Sequence, residues 1–181
     1  MNLTINKSIN FIFSIVMLLL LTLSCGIMSP NASRLYKSFY TDSGTQYFIK
    51  PLKFSNSTSG KLKFDIVFRF NNTIQESDSV IINYSIVTDQ LVKEIDSIRF
   101  NSGDVNLIAS FNDRLFMERE KKQYHSRFSS SASLTPLVQL FISEQWTIEV
   151  FHNENKMVFK PTASSARKIE SLNFNLFELL R

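Results

Sequence analysis

A strict alternation of apolar and polar side chains constrains the fold of this chain more than any other feature of its sequence. In the run Lys61–Phe70 the apolar series is Leu62, Phe64, Ile66, Phe68 and Phe70, and the positions between them are Lys61, Lys63, Asp65, Val67 and Arg69. Successive side chains of a β-strand point to opposite faces of its sheet. The run therefore predicts a strand with one buried face and one face in water.

Similar runs predict strands along most of the remaining chain. Apolar and β-forming residues are concentrated in the segments Val80–Thr88, Ile95–Phe100, Val105–Phe111, Leu115–Met117, Tyr124–Phe128, Trp146–Phe151 and Met157–Lys160. A last alternating run contains Leu172, Phe174 and Leu176. Together with the first run, these segments predict about eight or nine strands.

Other segments predict short helices and loops. Apolar residues recur at helical spacing before the first strand, and they predict a short amphipathic turn: Leu35, Tyr36, Phe39 and Tyr40. Thr135 and Pro136 offer an N-cap followed by proline at the first helical position, so we expect a short helix that ends near Gln145. The serine-rich segment Ser129–Ser133 predicts a loop, and Thr162–Lys168 predicts a polar connection.

Short strands with polar connections are typical of a mainly β fold. We expect a single β-sandwich of immunoglobulin-like or jelly-roll style, with one or two short helices, over residues 34–181. The chain has only four glycines. This is few for the tight corners of a barrel, and it favours the sandwich. No cysteine follows position 25, so stability must come from packing and not from disulfides.

The first 24 residues have the pattern of a signal peptide. Lys7 is the only charged side chain before Arg34, and the segment Ile9–Leu23 is apolar apart from Asn10, Ser14 and Thr22. A transmembrane helix needs about 20 apolar residues, so this run is short for a permanent span and favours a cleaved signal helix. A retained membrane anchor is the alternative interpretation.

The segment ends with the residues Leu21-Thr22-Leu23-Ser24-Cys25. This motif resembles the lipobox of bacterial lipoproteins, in the relaxed form found in spirochaetes or Bacteroidetes, and the resemblance covers residues 1–25 only. It implies that the Cys25 thiol carries a diacylglyceryl group, that a signal peptidase cuts between Ser24 and Cys25, and that the new terminal amine is acylated, for example with palmitate. An incidental cysteine, removed with the signal or left unpaired, is the alternative.

The mature chain would be a small tethered domain. Cleavage leaves 181 − 24 = 157 residues with 19 basic and 16 acidic side chains, a formal charge of +3. Residues 25–33 predict a lipidated cysteine and a short tether, and the eight residues 26–33 reach at most roughly 28 Å. We expect the domain to lie close to a bilayer in the bacterial cell envelope, at the outer membrane or cell surface.

The sequence offers little that indicates catalysis. It contains no nucleophile elbow, phosphate loop or dinucleotide fingerprint, and we predict no catalytic residue, metal site or cofactor. A weak candidate site is a basic patch formed by Arg114, Arg119, Lys121, Lys122 and Arg127. Such a patch is suited to anionic lipid headgroups, and the mild net charge gives no indication of nucleic-acid binding.

These features predict a membrane-anchored envelope lipoprotein with a non-catalytic binding or structural domain. Its further partner is a protein, a glycan or an anionic lipid. The alternative is an enzyme or small-ligand carrier of the envelope whose site is assembled from loops. A lesser alternative is a eukaryotic secreted glycoprotein, because N-glycosylation sequons begin at Asn31, Asn56, Asn71 and Asn83.

Overall fold

The alternating run Lys61–Phe70 forms one strand with these bounds, and its apolar series is buried as predicted except for half-buried Phe70. The computed structural model describes residues 35–75, 78–143 and 145–180. Cys25, Ser24 and the rest of the predicted signal peptide and tether lie outside the described residues.

Nine strands and two α-helices form in the described residues. The strands are β1 Tyr36–Thr41, β2 Gly44–Ser55, β3 Lys61–Phe70, β4 Ser79–Thr88, β5 Ser97–Ser102, β6 Val105–Glu120, β7 Gln123–Ser133, β8 Trp146–His152 and β9 Asn155–Pro161. The helices are α1 Leu134–Ile142 and α2 Ala163–Asn175, followed by the 3-10 helix Phe177–Leu180. Over these ranges, no helix has the length and apolar character needed to cross a membrane.

The strands close into a barrel, so the predicted β-sandwich is wrong. Their order is β1-β2-β3-β4-β7-β6-β5-β8-β9, every pairing is antiparallel, and β9 pairs back to β2 through Phe54 opposite Pro161 and Ser55 opposite Lys160. The closed ring has eight strands, β2 to β9, and β1 is an extra strand on β2. The mainly β class was predicted correctly.

The scarcity of glycine did not prevent closure because other residues supply the left-handed backbone at the corners. Ser59, Lys121, Asn153 and Glu154 have φ values of 66°, 56°, 47° and 65° and lie in the connections between paired strands. Only glycine adopts this conformation without steric cost, but asparagine and other polar residues tolerate it in turns. Glycine number was therefore a poor guide to the number of tight turns.

Bulges bend the two longest strands enough to close the ring. Between Ile49 and Leu52 of β2 the register slips by one residue against β3, where Ile66 and Phe64 are the partners. In β6 the register slips twice against β7, and Phe111 in the first irregularity has a φ of 55°. An inserted residue bends its strand and increases the local twist.

The segments predicted as a helical turn and a serine loop are strands. The run beginning at Leu35 pairs with β2 over Tyr36–Thr41 as β1, because a second strand is available to satisfy its backbone. Ser129–Ser133 lies in β7 between β4 and β6. Small hydroxyl side chains fit that position because Ser130 is buried and hydrogen-bonded within the barrel.

The predicted last strand is a helix instead. Thr162 caps α2 by accepting a hydrogen bond from the Ser165 backbone N–H at 3.3 Å. The buried residues Ile169, Leu172 and Leu176 are spaced three or four apart, which is the helical period, and Phe174 is exposed. The alternation of Leu172, Phe174 and Leu176 was misleading because it is too short to distinguish the two periods.

Aromatic rings fill the interior of the barrel. The largest fully buried side chains of the described strands include Phe54, Phe64, Phe100, Phe128 and Phe159. The ring of Trp146 stacks on Phe64 with centroids 6.2 Å apart. Helix α1 adds Phe141, whose centroid is 4.7 Å from Trp146 and 4.0 Å from Phe177 of the 3-10 helix. The interior is therefore a packed core.

Truncating the core face of β3 should destabilise the protein far more than truncating its outer face. We expect Phe64→Ala to lower the free energy of unfolding by about 3–5 kcal/mol, because it opens a cavity beside Trp146. Lys63→Ala, its exposed neighbour, should change it by less than about 0.5 kcal/mol. Chemical denaturation followed by the fluorescence of Trp146, the one tryptophan, measures both. Similar losses for the two variants would contradict a one-sided strand.

Candidate functional site

Neighbouring strands align basic residues on the outer wall of the barrel. In one row across the wall, Lys53 lies opposite Lys63, Lys63 opposite Ser85, and Ser85 opposite Arg127. Residues opposite each other in an antiparallel pair point to the same face. Leu62, the residue before Lys63, and its partner in β4 are buried. The row that contains Lys63 therefore points outward.

A second row lies beside the first and extends the same surface. Ser55 is opposite Lys61, Lys61 opposite Val87, and Val87 opposite His125. The two rows line a groove of about 720 Å³ on the outer wall, which we call the basic groove. Its lining residues are Lys53, Phe54, Ser55, Lys61, Leu62, Lys63, Ser85, Val87, Phe116, His125, Arg127 and Thr162.

Three lysines of the basic groove have no carboxylate partner among the residues that the structure describes. In the part of the chain that the structure describes, the ion pairs are Arg99–Glu149, His125–Glu118, Arg127–Asp65 and Lys156–Glu149. None of them includes Lys53, Lys61 or Lys63. Lys53 and Lys63 are also directly opposed across β2 and β3, and like charges in that position destabilise a sheet.

Arg127 is held in a fixed position beside these lysines. Its Nη2 lies 2.9 Å from Oδ1 of Asp65, and its Nη1 donates a hydrogen bond to Oγ of Ser85 at 3.1 Å. Asp65 also accepts a hydrogen bond from the side-chain amide of Asn83 at 3.2 Å. A planar guanidinium held by two partners has few accessible rotamers. Arg127 is therefore a fixed polar group at the surface of the groove.

Apolar side chains form the rest of the groove surface. Phe116 lies opposite Arg127 in the register of β6 and β7, and its ring meets the ring of His125 edge-on with centroids 5.1 Å apart. His125 Nδ1 is 3.3 Å from Oε1 of Glu118. Together with Val87, these rings form an apolar surface. The basic groove therefore combines cations with an apolar wall.

Helix α2 is attached to the barrel at the edge of the groove. The backbone N–H of Lys53 donates to Oγ of Ser165 at 2.7 Å, and the backbone N–H of Thr162 donates to the carbonyl of Lys53 at 3.0 Å. Both bonds join the start of α2 to β2. They fix the backbone of Lys53 while its side chain stays exposed.

A buried hydrogen-bond network sets the path of β6, which presents Phe116. The Tyr84 hydroxyl donates to Oδ1 of Asn112 at 2.8 Å, and Oγ of Ser130 donates to the same atom at 2.7 Å. Burial raises the pKa of the Tyr84 phenol, and the hydrogen bond with Ser130 lowers it by less. The phenol thus stays protonated and keeps its donor role at physiological pH.

The structure brings together only part of the basic patch predicted from sequence. Arg127 lies in the basic groove, and Lys121 and Lys122 line an adjoining hollow that shares Lys61 with it. Arg119 lies over the ring of Tyr124, its cross-strand partner. Glu118 and His125, the next pair along these strands, line the groove side. Because successive residues of a strand point to opposite faces, Arg119 points away from the basic groove.

The remaining member of that patch, Arg114, is engaged elsewhere. Its Nη1 donates a hydrogen bond to the carbonyl of Lys93 at 2.9 Å. The sequence analysis missed Lys53, Lys61 and Lys63 as site residues. The one available signal was the polar half of the alternation in β3, which contains two of them; the contribution of Lys53 depends on the bulge in β2.

The described residues also show where acidic side chains and two sequon asparagines lie. Within residues 35–75, 78–143 and 145–180, no group of three or more His, Cys, Asp or Glu side chains is positioned to hold a metal ion. Of the sequon asparagines, Asn83 is half-buried and bonded to Asp65, and Asn56 accepts hydrogen bonds from the backbone N–H groups of Thr58 and Gly60.

Comparison with known proteins provides no relative from which a role can be transferred. No protein-family model matches the chain, and no curated protein or solved structure matches it either.

Removing the acceptor at the centre of the buried network should destabilise the barrel. Asn112→Ala leaves the hydroxyls of Tyr84 and Ser130 without their shared partner, and we expect a loss of about 1–3 kcal/mol in the free energy of unfolding. Asn106→Ala, an exposed change in the same strand, is the matched control and should be close to neutral. Urea denaturation measures both; an Asn112→Ala variant as stable as the control would show that the network contributes nothing.

Proposed function

We propose that this chain is a lipid-anchored protein of the bacterial cell envelope whose barrel binds an anionic amphiphile in the basic groove. The observation that carries the proposal is the pair of opposed lysines, Lys53 and Lys63, with Lys61 beside them. Asp65 follows Lys63 on the same face of β3 but is paired with Arg127. Among the described residues, no carboxylate forms an ion pair with the three lysines. An anionic group bound between Lys53 and Lys63 would remove their repulsion and supply the missing partner.

The apolar wall supports a ligand that has a hydrophobic part as well as a charge. Val87 lies opposite Lys61 and Phe116 lies opposite Arg127, so apolar side chains line the groove next to its cations. A headgroup of phosphate or carboxylate would contact the lysines, and a short apolar segment would cover the rings. The volume of about 720 Å³ is within the range of small-molecule sites, roughly 300–1,000 Å³.

The anchor is supported by sequence alone. Cys25 follows an apolar segment and a small residue, and it is the one cysteine in the chain. Burial of acyl chains contributes about 0.8 kcal/mol per CH₂, so two or three chains hold a protein stably on a membrane. We place the protein at the outer membrane or cell surface, where a tethered domain meets anionic amphiphiles.

Binding fits the basic groove better than catalysis or internal transport. Phe64 and Trp146 occupy the barrel interior, where a carrier of the closed-barrel type would hold its ligand. In the groove, the guanidinium of Arg127 is tied to Asp65, and His125 is beside Glu118. These contacts orient side chains around a bound anion and leave no nucleophile paired with a base.

The lipid anchor is testable by mass spectrometry of the native protein. We expect a mature N-terminus at Cys25 that carries acyl chains, and we expect Cys25→Ala to leave the membrane fraction. Ser24→Ala is the matched control, because it keeps a small residue before the cut and should be processed normally. A native protein with an intact Met1 terminus would contradict the anchor.

Ligand binding is testable with dodecyl phosphate below its micelle concentration. The double variant K61Q/K63Q should weaken binding by roughly 2- to 30-fold, because each exposed ion pair contributes about 0.2–1 kcal/mol. K93Q/K168Q removes the same charge outside the basic groove and should bind like the unmodified protein. Isothermal titration calorimetry at two salt concentrations gives both affinities. Equal losses in the two variants would mean that only net charge matters.

A further inference from the structure

A stripe of exposed apolar side chains crosses the outer wall further along β2, β3 and β4 from the basic groove. Lys37 lies opposite Phe48, Phe48 opposite Val67, and Val67 opposite Ile81, in four neighbouring strands. Phe39 points to the same face, and its ring meets Phe48 edge-on at 5.5 Å. The exposed fractions of Phe39, Phe48 and Ile81 are 53%, 36% and 49%. We call Phe39, Phe48, Val67 and Ile81 the apolar stripe.

Cations border the apolar stripe. Lys37 is at its end on β1, and Arg69 lies in the row of Gln46 and Phe39. Neither belongs to an ion pair of the described residues. Exposed rings next to unpaired cations match the chemistry of an anionic bilayer, where apolar groups enter the acyl boundary and each cation near the surface contributes about 1 kcal/mol.

The path of the chain leads from the proposed anchor to this surface. Of the strands that the structure describes, β1 lies nearest to Cys25 in sequence, and it contributes both Lys37 and Phe39. Twelve residues separate Cys25 from Lys37, which reach at most about 42 Å when extended. A bilayer that holds acyl chains on Cys25 is therefore within reach of the apolar stripe.

We propose that the apolar stripe, with Lys37 and Arg69, lies against the anionic bilayer that holds the lipid anchor. This inference rests on the proposed function, because the anchor supplies the membrane. It goes further by giving the domain an orientation. β1 and the outer wall of β2, β3 and β4 face the lipid, and the aromatic pair Phe39 and Phe48 enters its interface.

A thiol-specific fluorophore at a single introduced cysteine can report which wall faces the lipid. Ile81→Cys places the probe in the apolar stripe. Val158→Cys is the matched control, because it is β-branched, 37% exposed and on β9, which pairs with β2 only at Phe54 and Ser55 and not near Phe48. Acylation of Cys25 leaves the introduced thiol as the one free thiol. The acylated full-length products are reconstituted into vesicles of phosphatidylcholine, with and without phosphatidylglycerol.

We expect the probe at position 81 to shift its emission to the blue and to lose accessibility to aqueous iodide several-fold, and the probe at 158 to stay accessible. Phe39→Cys is a second stripe variant, in case Ile81→Cys alters folding, which the fluorescence of Trp146 reports. K37Q/R69Q should reduce the protection of position 81, most of all in vesicles that contain phosphatidylglycerol.

Equal iodide quenching at 81 and 158 in anchored protein would overturn the orientation and leave the anchor intact. If mass spectrometry finds Cys25 without acyl chains, the anchor fails, and the same probes in a Cys25→Ser background with added vesicles still test the stripe. Protection of position 81 without vesicles, together with a doubled mass in solution, would mean that a second copy covers the stripe, and this would also overturn the proposal.

Discussion

Closure of the ring determines which side chains are available for binding. Each strand from β2 to β9 is paired on both sides. What remains to be determined for each strand is which of its two sets of alternate side chains faces the interior. Once Leu62 and Phe64 are in the core, Lys61 and Lys63 must point to solvent. The aromatic interior and the basic groove are thus two consequences of the same alternation in β3.

The bulge in β2 brings the two proposed surfaces onto one wall. Phe48 and Lys53 are five residues apart, and an unbroken strand would point them to opposite faces. The extra residue between Ile49 and Leu52 reverses the alternation, so both side chains face outward. Without that slip, Lys53 would point into the core and the opposed lysine pair could not form.

The basic groove and the apolar stripe are close enough to act together. Lys63 and Val67 lie on the same face of β3, four residues or about 13 Å apart. Asp65 lies between them on the same face, where it forms an ion pair with Arg127 and accepts a hydrogen bond from Asn83. A bilayer against the apolar stripe would put the basic groove at the depth of the lipid headgroups, where an anionic amphiphile is most concentrated.

Local pattern predicted individual strands well and their assembly poorly. The bounds of β3 and the hairpin of β8 and β9 follow from alternation and turn residues, which are properties of neighbouring positions. The barrel depends on β4 pairing with β7 and β9 with β2, and no local signal encodes those pairs. For the same reason the lysines of the groove were missed: Lys53 and Lys63 are ten residues apart in sequence and become neighbours through register alone.

Three departures from an otherwise consistent fold lie on β2 and its neighbours. The opposed pair Lys53 and Lys63, the exposed rings of Phe39 and Phe48, and the slip after Ile49 all belong to this part of the wall. The opposed like charges and the exposed rings are unfavourable for folding when considered alone, and the slip is what places both on one wall. Residues that oppose folding are expected where they serve binding, and their common location on one wall argues for one binding surface.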